Sequence, residues 1–305
     1  MRIVYLGTPD FAVQPLKRLI DCGYNVVAVV TNKDKPVGRK QVLTPPPVKI
    51  LAESLGIPVF QYDKIRVEGV EDLKSLSPDI MITCAFGQIL SQEILNIPQL
   101  GVINIHASLL PKYRGASPIH YAILNGECQT GITIMKTDVG IDTGDVMLQK
   151  SLNINPDETC GQLFERLSIL GADAICEALP QIFDGKAQFV KQDDNLATHT
   201  KIIKKEMALI DWGGCAEDIY NKVRAFNPAP IAYCSFEGQP FKIFEAKVLD
   251  VDAPQGKIVR ADKELVIGCG KGSISLLKVQ KAGGKAMMIQ DFLRGNKLTV
   301  GEDFV

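Results

Sequence analysis

The first hundred residues alternate short, almost unbroken apolar runs with amphipathic ones, and this alternation restricts the fold more than any other property of the chain. R-I-V-Y-L-G is followed by a helical pattern near residues 9 to 22 and then by N-V-V-A-V-V-T; further on come P-V-F-Q-Y, D-I-M-I-T-C-A-F and V-I-N-I-H-A. Strand, helix and strand in that order build a parallel sheet, because parallel neighbours need a crossover and a helix supplies it. Strands that are apolar on both faces are covered on both faces. An α/β, Rossmann-like domain with a mostly parallel sheet is therefore predicted. Thr8 is placed to cap the first helix, with Pro9 at its first position and Asp10 at the positive end of the dipole.

Past residue 125 the pattern changes. G-I-T-I-M-K-T and D-V-M-L-Q-K flank the Gly-rich D-V-G-I-D-T-G as an irregular hairpin, and a long helix from about Glu158 to Phe183 closes the first domain. Residues 185 to 206 are polar, with Q-D-D-N and K-I-I-K-K, and read as connecting chain. After Ala208 one helical segment, C-A-E-D-I-Y-N-K-V-R-A-F, precedes P-F-K-I-F-E-A-K-V, G-K-I-V-R-A, E-L-V-I-G-C and S-I-S-L-L-K-V-Q, short strands separated by Gly, Pro and Asp. That spacing predicts a small, OB-like β-barrel. The expected division is a first domain at 1–189, a linker at 190–206 and a barrel at 207–305; 305 residues that are 46% hydrophobic suffice for two cores.

Several function classes drop out on composition and spacing. No apolar run approaches membrane-spanning length, and Met1-Arg2 leads straight into a strand without signal or transit features, so a cytoplasmic protein is expected. Eight cysteines without a C-x-x-C pair, and only His106, His120 and His199, argue against a disulfide framework or a zinc site; no metal is expected. The turn after the first strand holds Gly7 but no G-x-G-x-x-G, which argues against a dinucleotide. Asp142-Thr143-Gly144 occurs once, whereas an aspartic protease needs two such aspartates. A net charge of −1 argues against wholesale nucleic-acid attachment, but local clusters exist: Lys33, Lys35, Arg39 and Lys40; Lys201, Lys204 and Lys205; and six cations between residues 268 and 297 against Asp291 alone.

The chemistry concentrates in V-I-N-I-H-A-S-L-L-P-K-Y-R-G-A-S-P, residues 102 to 118. Side chains two apart on a strand share a face, so Asn104 and His106 leave the strand end together while Val102, Ile103 and Ile105 supply apolar bulk. Ligands of open α/β sheets bind beyond the carboxyl ends of the strands. The loop D-V-G-I-D-T-G-D brings Asp138, Asp142 and Asp145, and a carboxylate within reach of His106 would fix the ring's orientation and stabilise its charge. An amide, an imidazole and a carboxylate together can bind the oxyanion of a tetrahedral intermediate and move a proton between nitrogens, the requirements of acyl transfer to an amine.

These segments carry a resemblance. N-I-H-A-S-L-L-P-K-Y-R-G-A-S-P-I followed by D-V-G-I-D-T-G-D is similar to the formyltransferase family that uses 10-formyltetrahydrofolate. The opening G-T-P-D-F-A, the loop K-P-V-G-R-K-Q-V-L-T-P-P-P-V-K, R-A-F-N-P-A-P and the ending Q-D-F-L-R-G-N-K-L-T-V-G resemble the branch of that family that acts on tRNA. The resemblance implies transfer of a formyl group from 10-formyltetrahydrofolate to the α-amino group of methionyl initiator tRNA, with Asn104, His106 and Asp142 as the catalytic trio. It places folate against Phe86, Gly87, Gln88 and Ile89, against the turn Ser108, Leu109, Leu110 and Pro111, and against Val139 and Gly140; many members have Tyr where Phe86 stands. It implies tRNA contacts from Arg39 and Lys40 in the N-terminal loop and from Lys204 and Lys205 in the linker, with the barrel as a tRNA-binding domain. A relative acting on a small amine, a glycinamide ribonucleotide or an amino sugar, or hydrolysing the formyl donor, would use the same trio; the basic clusters and second domain favour tRNA. No obligate protein partner is implied, and without a heptad seam a monomer is expected.

Overall fold

The structure, a computed structural model, describes residues 1–38 and 40–304. The chain divides into two compact units. The first is Met1–Pro118, Gln129–Leu152 and Phe164–Lys201; the second is Ile119–Cys128, Asn153–Leu163 and Ile202–Val305. In chain order the strands of the first unit are β1 Arg2–Gly7, β2 Asn25–Thr31, β3 Lys35–Val37, β4 Val42–Thr44, β5 Val59–Gln61, β6 Ile80–Cys84, β7 Val102–His106, β8 Arg114–Gly115, β9 Gln129–Lys136, β10 Val146–Asn153 and β11 His199–Thr200.

Seven of them form one sheet in the order β10-β9-β7-β6-β1-β2-β5. The strands from β7 to β5 run parallel, and β9 joins β7 antiparallel. The expected apolar runs are its centre: β6 is buried at every residue, and β1 at all but its first. One face packs Val4, Leu6, Ala28, Val30, Met81 and Val102 against Ile65, Leu73, Phe86 and Ile94. Each such Val, Leu, Ile or Phe contributes ~1.5–3 kcal/mol by leaving water. On the opposite side the helix Cys160–Phe183 comes close at Gly171, where a Cβ would lie 3.0 Å from Ile105. Ser168 in that helix donates to the carbonyl of Phe11, and the rings of Phe11 and Phe164 meet edge to face at 5.1 Å.

Register then sets the site. Gly7 lies opposite Cys84, and Cys84 opposite Ile105, so β1, β6 and β7 end side by side. Chain order reverses between β1 and β6, a switch point of the kind at which open α/β sheets bind ligands. The expected Thr8 cap does not form. A short 3-10 turn, Asp10–Ala12, precedes the helix Val13–Asp21, and the Thr8 hydroxyl is spent on the strand ends, donating to the Phe86 carbonyl and accepting from the Asn32 N–H, each at 3.3 Å.

The second unit carries β12 Ala232–Phe236, β13 Gln239–Leu249, β14 Ile258–Ala261, β15 Leu265–Gly268, β16 Ser273–Gln280 and β17 Met287–Met288. They form a six-stranded antiparallel sheet in the order β12-β13-β16-β15-β14, with β17 on β16. Phe236, Phe241, Phe292 and Phe304 cluster beneath it with centroids 5.0–6.0 Å apart. The helix Ala216–Ala225 falls where its periodicity predicts, whereas the helix Ile289–Gly295 forms in a stretch for which the pattern predicts no element. The basic excess there is also smaller than a count along the chain implies. Lys278 pairs with Glu245, Lys281 with Glu237 and Arg294 with Asp291, two of the three acids coming from β13 and the turn before it. Among the described residues no helix is long and apolar enough to cross a membrane.

Candidate active site

Asn104, His106 and Asp142 come together at the end of β7, all in the first unit. Asn104 lies opposite Thr83 of β6, whose hydroxyl donates to its Oδ1 at 3.0 Å. That bond fixes which way the amide faces: Nδ2 points to Asp142 and meets Oδ1 at 3.4 Å. His106 is 6% exposed, with Nε2 3.1 Å from the backbone oxygen of Tyr113 and Nδ1 3.5 Å from Asp142 Oδ2. Both ring nitrogens therefore face oxygen acceptors, and both contacts are satisfied only when both nitrogens carry hydrogen. Nε2 is held by a backbone carbonyl, and Nδ1 is the nitrogen that faces the Asp142 carboxylate. The Asp142 carboxylate also accepts the Gly115 N–H at 2.7 Å.

The loop that delivers Asp142 is built from its own polar atoms. Asp138 accepts the Gly140 N–H at 3.0 Å and the Thr143 hydroxyl at 2.8 Å, closing the turn on itself. Gly144 is packed so closely that an added Cβ would lie 1.8 Å from the Lys136 carbonyl. Asp142 itself has φ 53°, in the left-handed region, which costs a non-glycine residue on the order of 1 kcal/mol and persists only where the surroundings impose it. The thiol beside Thr83 is excluded as a nucleophile: burial pushes Cys84 up to about 12, so no thiolate forms near neutrality.

The residues expected around the donor substrate take different positions. Ala85 and Gly87 have positive φ, giving a tight turn after β6. The Phe86 ring is buried in the core below that turn, and its carbonyl accepts from Thr8 and from Asn32 Nδ2. Gln88 is spent internally: Nε2 donates to Asn32 Oδ1 at 2.7 Å and to the Tyr62 carbonyl at 3.0 Å, while Oε1 accepts the Ile65 N–H. Ile89 and Val139 each expose 68% of their surface, so these apolar side chains are open to a ligand. Gly140 lies in the exposed part of the Asp142 loop. Ser108 donates to the Lys112 carbonyl, closing the turn that contains Leu109, Leu110 and Pro111. Thr133 and Gln149 secure that turn: the Thr133 hydroxyl donates to the Ser108 carbonyl and accepts the Leu110 N–H, and Gln149 Nε2 donates to the Leu110 carbonyl.

The basic residues are spread over both units. β3 and β4 form a short hairpin with Val37, Val42 and Leu43 more than half exposed, and Lys40 exposed near its tip; Arg39 lies outside the described residues. The hairpin is anchored at its base, where Lys49 pairs with Asp34 at 2.9 Å and Gln61 bonds the same carboxylate. The Gln61 amide, then the Lys49 ammonium, hold the Asp34 carboxyl below its ordinary range. Lys204 and Lys205 are exposed at the start of a 3-10 turn in the second unit. Sequence reasoning passed over Thr83, Thr133, Gln149, Arg114 and Gln192. Arg114 sits inside the quoted L-L-P-K-Y-R-G run and is 3% exposed, a buried charge that marks a structural demand; Gln192 lies in polar Q-D-D-N, which carries no such signal.

With this geometry described, comparison with known proteins places the chain. The formyl transferase family model matches residues 1–179, and that of the formyl transferase C-terminal domain matches 202–297. The methionyl-tRNA formyltransferase of Geobacter metallireducens is 46% identical over 303 residues, covering 99% of this chain and 97% of that protein. The chain belongs to the formyl transferase family, and within it to the methionyl-tRNA formyltransferases. Solved structures share the fold at lower identity. An N-formyltransferase from Helicobacter canadensis, in complex with folinic acid and dTDP-3-aminofucose, matches at TM-score 0.70 and 21% identity over 92% of this chain and 98% of that one. HypX from Aquifex aeolicus, in complex with tetrahydrofolic acid, matches at TM-score 0.66 and 17% identity over 96% of this chain, which spans about half (47%) of the HypX chain.

Proposed function

We propose that this enzyme transfers the formyl group of 10-formyltetrahydrofolate to the free α-amino group of methionyl initiator tRNA, with Asn104, His106 and Asp142 as the reacting groups. The observation that carries the reading is the meeting of the Asp142 carboxylate with the Asn104 amide at 3.4 Å and with the His106 imidazole at 3.5 Å, at a strand end. In the reaction a bond forms between the α-amino nitrogen and the formyl carbon, the bond from that carbon to N10 breaks, and one proton passes from the attacking to the departing nitrogen. The amine needs little activation, since α-amino groups titrate near ~7.7–8.0 and esterification lowers that further. The larger tasks are orienting two substrates, worth up to ~7–11 kcal/mol, and binding the oxyanion, worth ~3–4 kcal/mol per good donor. Asn104 Nδ2, which keeps a second hydrogen beside its bond to Asp142, and His106 Nδ1, whose 3.5 Å contact with Asp142 is long enough to be shared with the oxyanion, are the donors, and Asp142, touching both, keeps them aimed and relays the proton.

The folate lies along Phe86–Ile89, Ser108–Pro111 and Val139–Gly140, its apolar contacts made by the exposed Ile89 and Val139. Arg39, Lys40, Lys204 and Lys205 contact the tRNA backbone. In this reading residues 1–189 carry catalysis, 190–206 connect, and 207–305 bind tRNA, in a monomer working in the cytoplasm. The test is formyl transfer assayed in parallel with charged initiator tRNA, an amino sugar nucleotide and water as acceptors. Turnover with tRNA alone is expected. Faster turnover with the small amine, or with water, would overturn the assignment of substrate.

A further inference from the structure

The segment expected as a linker makes a closed ring of hydrogen bonds around Asp142. Gln192 donates its amide hydrogens to two carbonyls of the loop, that of Asp142 at 2.8 Å and that of Gly144 at 2.7 Å. Its Oε1 accepts from Arg114 Nε at 3.1 Å and Nη2 at 2.9 Å, and Nη2 also reaches Asp194 at 2.7 Å. The residue after Arg114 is Gly115, whose N–H holds the Asp142 carboxylate. The ring thus grips Asp142 twice, by its backbone carbonyl through Gln192 and by its side chain through Gly115. The same stretch of chain is held on both sides. β11 pairs with β8, Thr198 accepts the Tyr113 N–H through its hydroxyl, and Val190 exchanges two backbone bonds with Val146. The fit at Gly115 is tight: φ is 110°, and a Cβ would lie 2.6 Å from the Thr200 carbonyl.

From this arrangement we infer that Gln192, held by Arg114, is a positioning residue for formyl transfer: it fixes the left-handed turn that presents the Asp142 carboxylate to His106 and Asn104. The inference rests on the reading of Asp142 as a reacting group. Polar atoms explain why Gln is used. Only a primary amide can give two hydrogens to two carbonyls while offering an oxygen to a guanidinium. Arg114 is 3% exposed, so its charge is compensated locally, and loss of Gln192 Oε1 would remove two of the hydrogen bonds of its fork and keep that to Asp194. A misplaced carboxylate is costly in rate, because displacements of ~1 Å in a reacting group can cost ~10²-fold.

The test is a four-protein comparison of wild type, Gln192→Met, Asp142→Asn and the double variant, with kcat, KM for both substrates, and hydrogen exchange in residues 138–145. Gln192→Met is expected to lower kcat about tenfold with both KM values within about twofold, and to speed exchange in the loop. In the Asp142→Asn background the same change should cost less than about twofold, because the group it positions is already gone. Should the Met variant prove poorly folded, Gln192→Glu keeps the acceptor for Arg114 and removes the donors, and gives the same comparison. An impaired Asp142→Asn beside a wild-type Gln192→Met, or an equal loss from Gln192→Met in both backgrounds, overturns this inference alone. A wild-type rate for Asp142→Asn overturns the assignment of Asp142 and the inference with it.

Discussion

The loop 138–145 and the hairpin of β3 and β4 both project from the first unit, and they are constructed in opposite ways. In the loop nearly every polar group is spent within the protein: Asp138 on Gly140 and Thr143, the Asp142 carboxylate on Gly115 and Asn104, and the carbonyls of Asp142 and Gly144 on Gln192. Beyond its own strand pairing, the described part of the hairpin makes only local bonds, Gln41 to the Gly38 carbonyl and Thr44 to that of Val42, and leaves Leu43 64% exposed. The first construction holds the proposed reacting group, Asp142, in one place. The second leaves charge and apolar surface free for something outside the chain. Pre-organisation serves the transition state, and adaptable surface serves the binding of a large partner.

The comparison can be broken from either side. The largest effect is expected at the trio: His106→Ala should lower kcat by at least ~100-fold with the thermal midpoint nearly unchanged. Gly144→Ala comes next. Its Cβ would fall 1.8 Å from the Lys136 carbonyl, so the loop must shift, and steady-state kinetics should show kcat reduced by ~10-fold or more. A wild-type kcat there would mean that the loop tolerates displacement and is no more rigid than the hairpin. Arg39→Ala, between β3 and β4 in the sequence, and Lys40→Ala should each raise KM for charged tRNA by roughly 3- to 10-fold and leave KM for folate alone; equal effects on both would remove this segment from the tRNA interface. The smallest effect lies in the second unit. Burial pushes His120 below its usual value of 6.5, so it folds neutral and its contribution to stability is present above about pH 6.5 and lost as pH falls below that. Denaturant midpoints between pH 7.5 and 5.5 should fall in the wild type and fall less in His120→Asn.

What the sequence disclosed follows the same divide. The parallel strands were legible because burial on both faces leaves an apolar run that only a covered sheet explains, as in I-M-I-T-C and V-I-N-I-H. Asn104 and His106 were legible because two polar groups interrupt such a run at the same face. The strap from Val190 to Thr200 was not, since its bonds come from polar side chains and a two-residue strand that produce no periodicity. The Thr8 cap failed for a related reason: a cap is a local rule, and here the hydroxyl found partners just beyond β2 and β6 instead. The basic excess near residue 280 was overestimated because Glu237 and Glu245 become its neighbours only when β13 pairs with β16.

The central claim is that Asp142, brought to His106 and Asn104 by its loop, takes part in the chemical step. Single-turnover formyl transfer by Asp142→Asn, with both substrates saturating and folding checked by its thermal midpoint, tests it most directly. A rate at least ~100-fold below wild type in a normally folded protein is predicted. A wild-type rate would contradict the account.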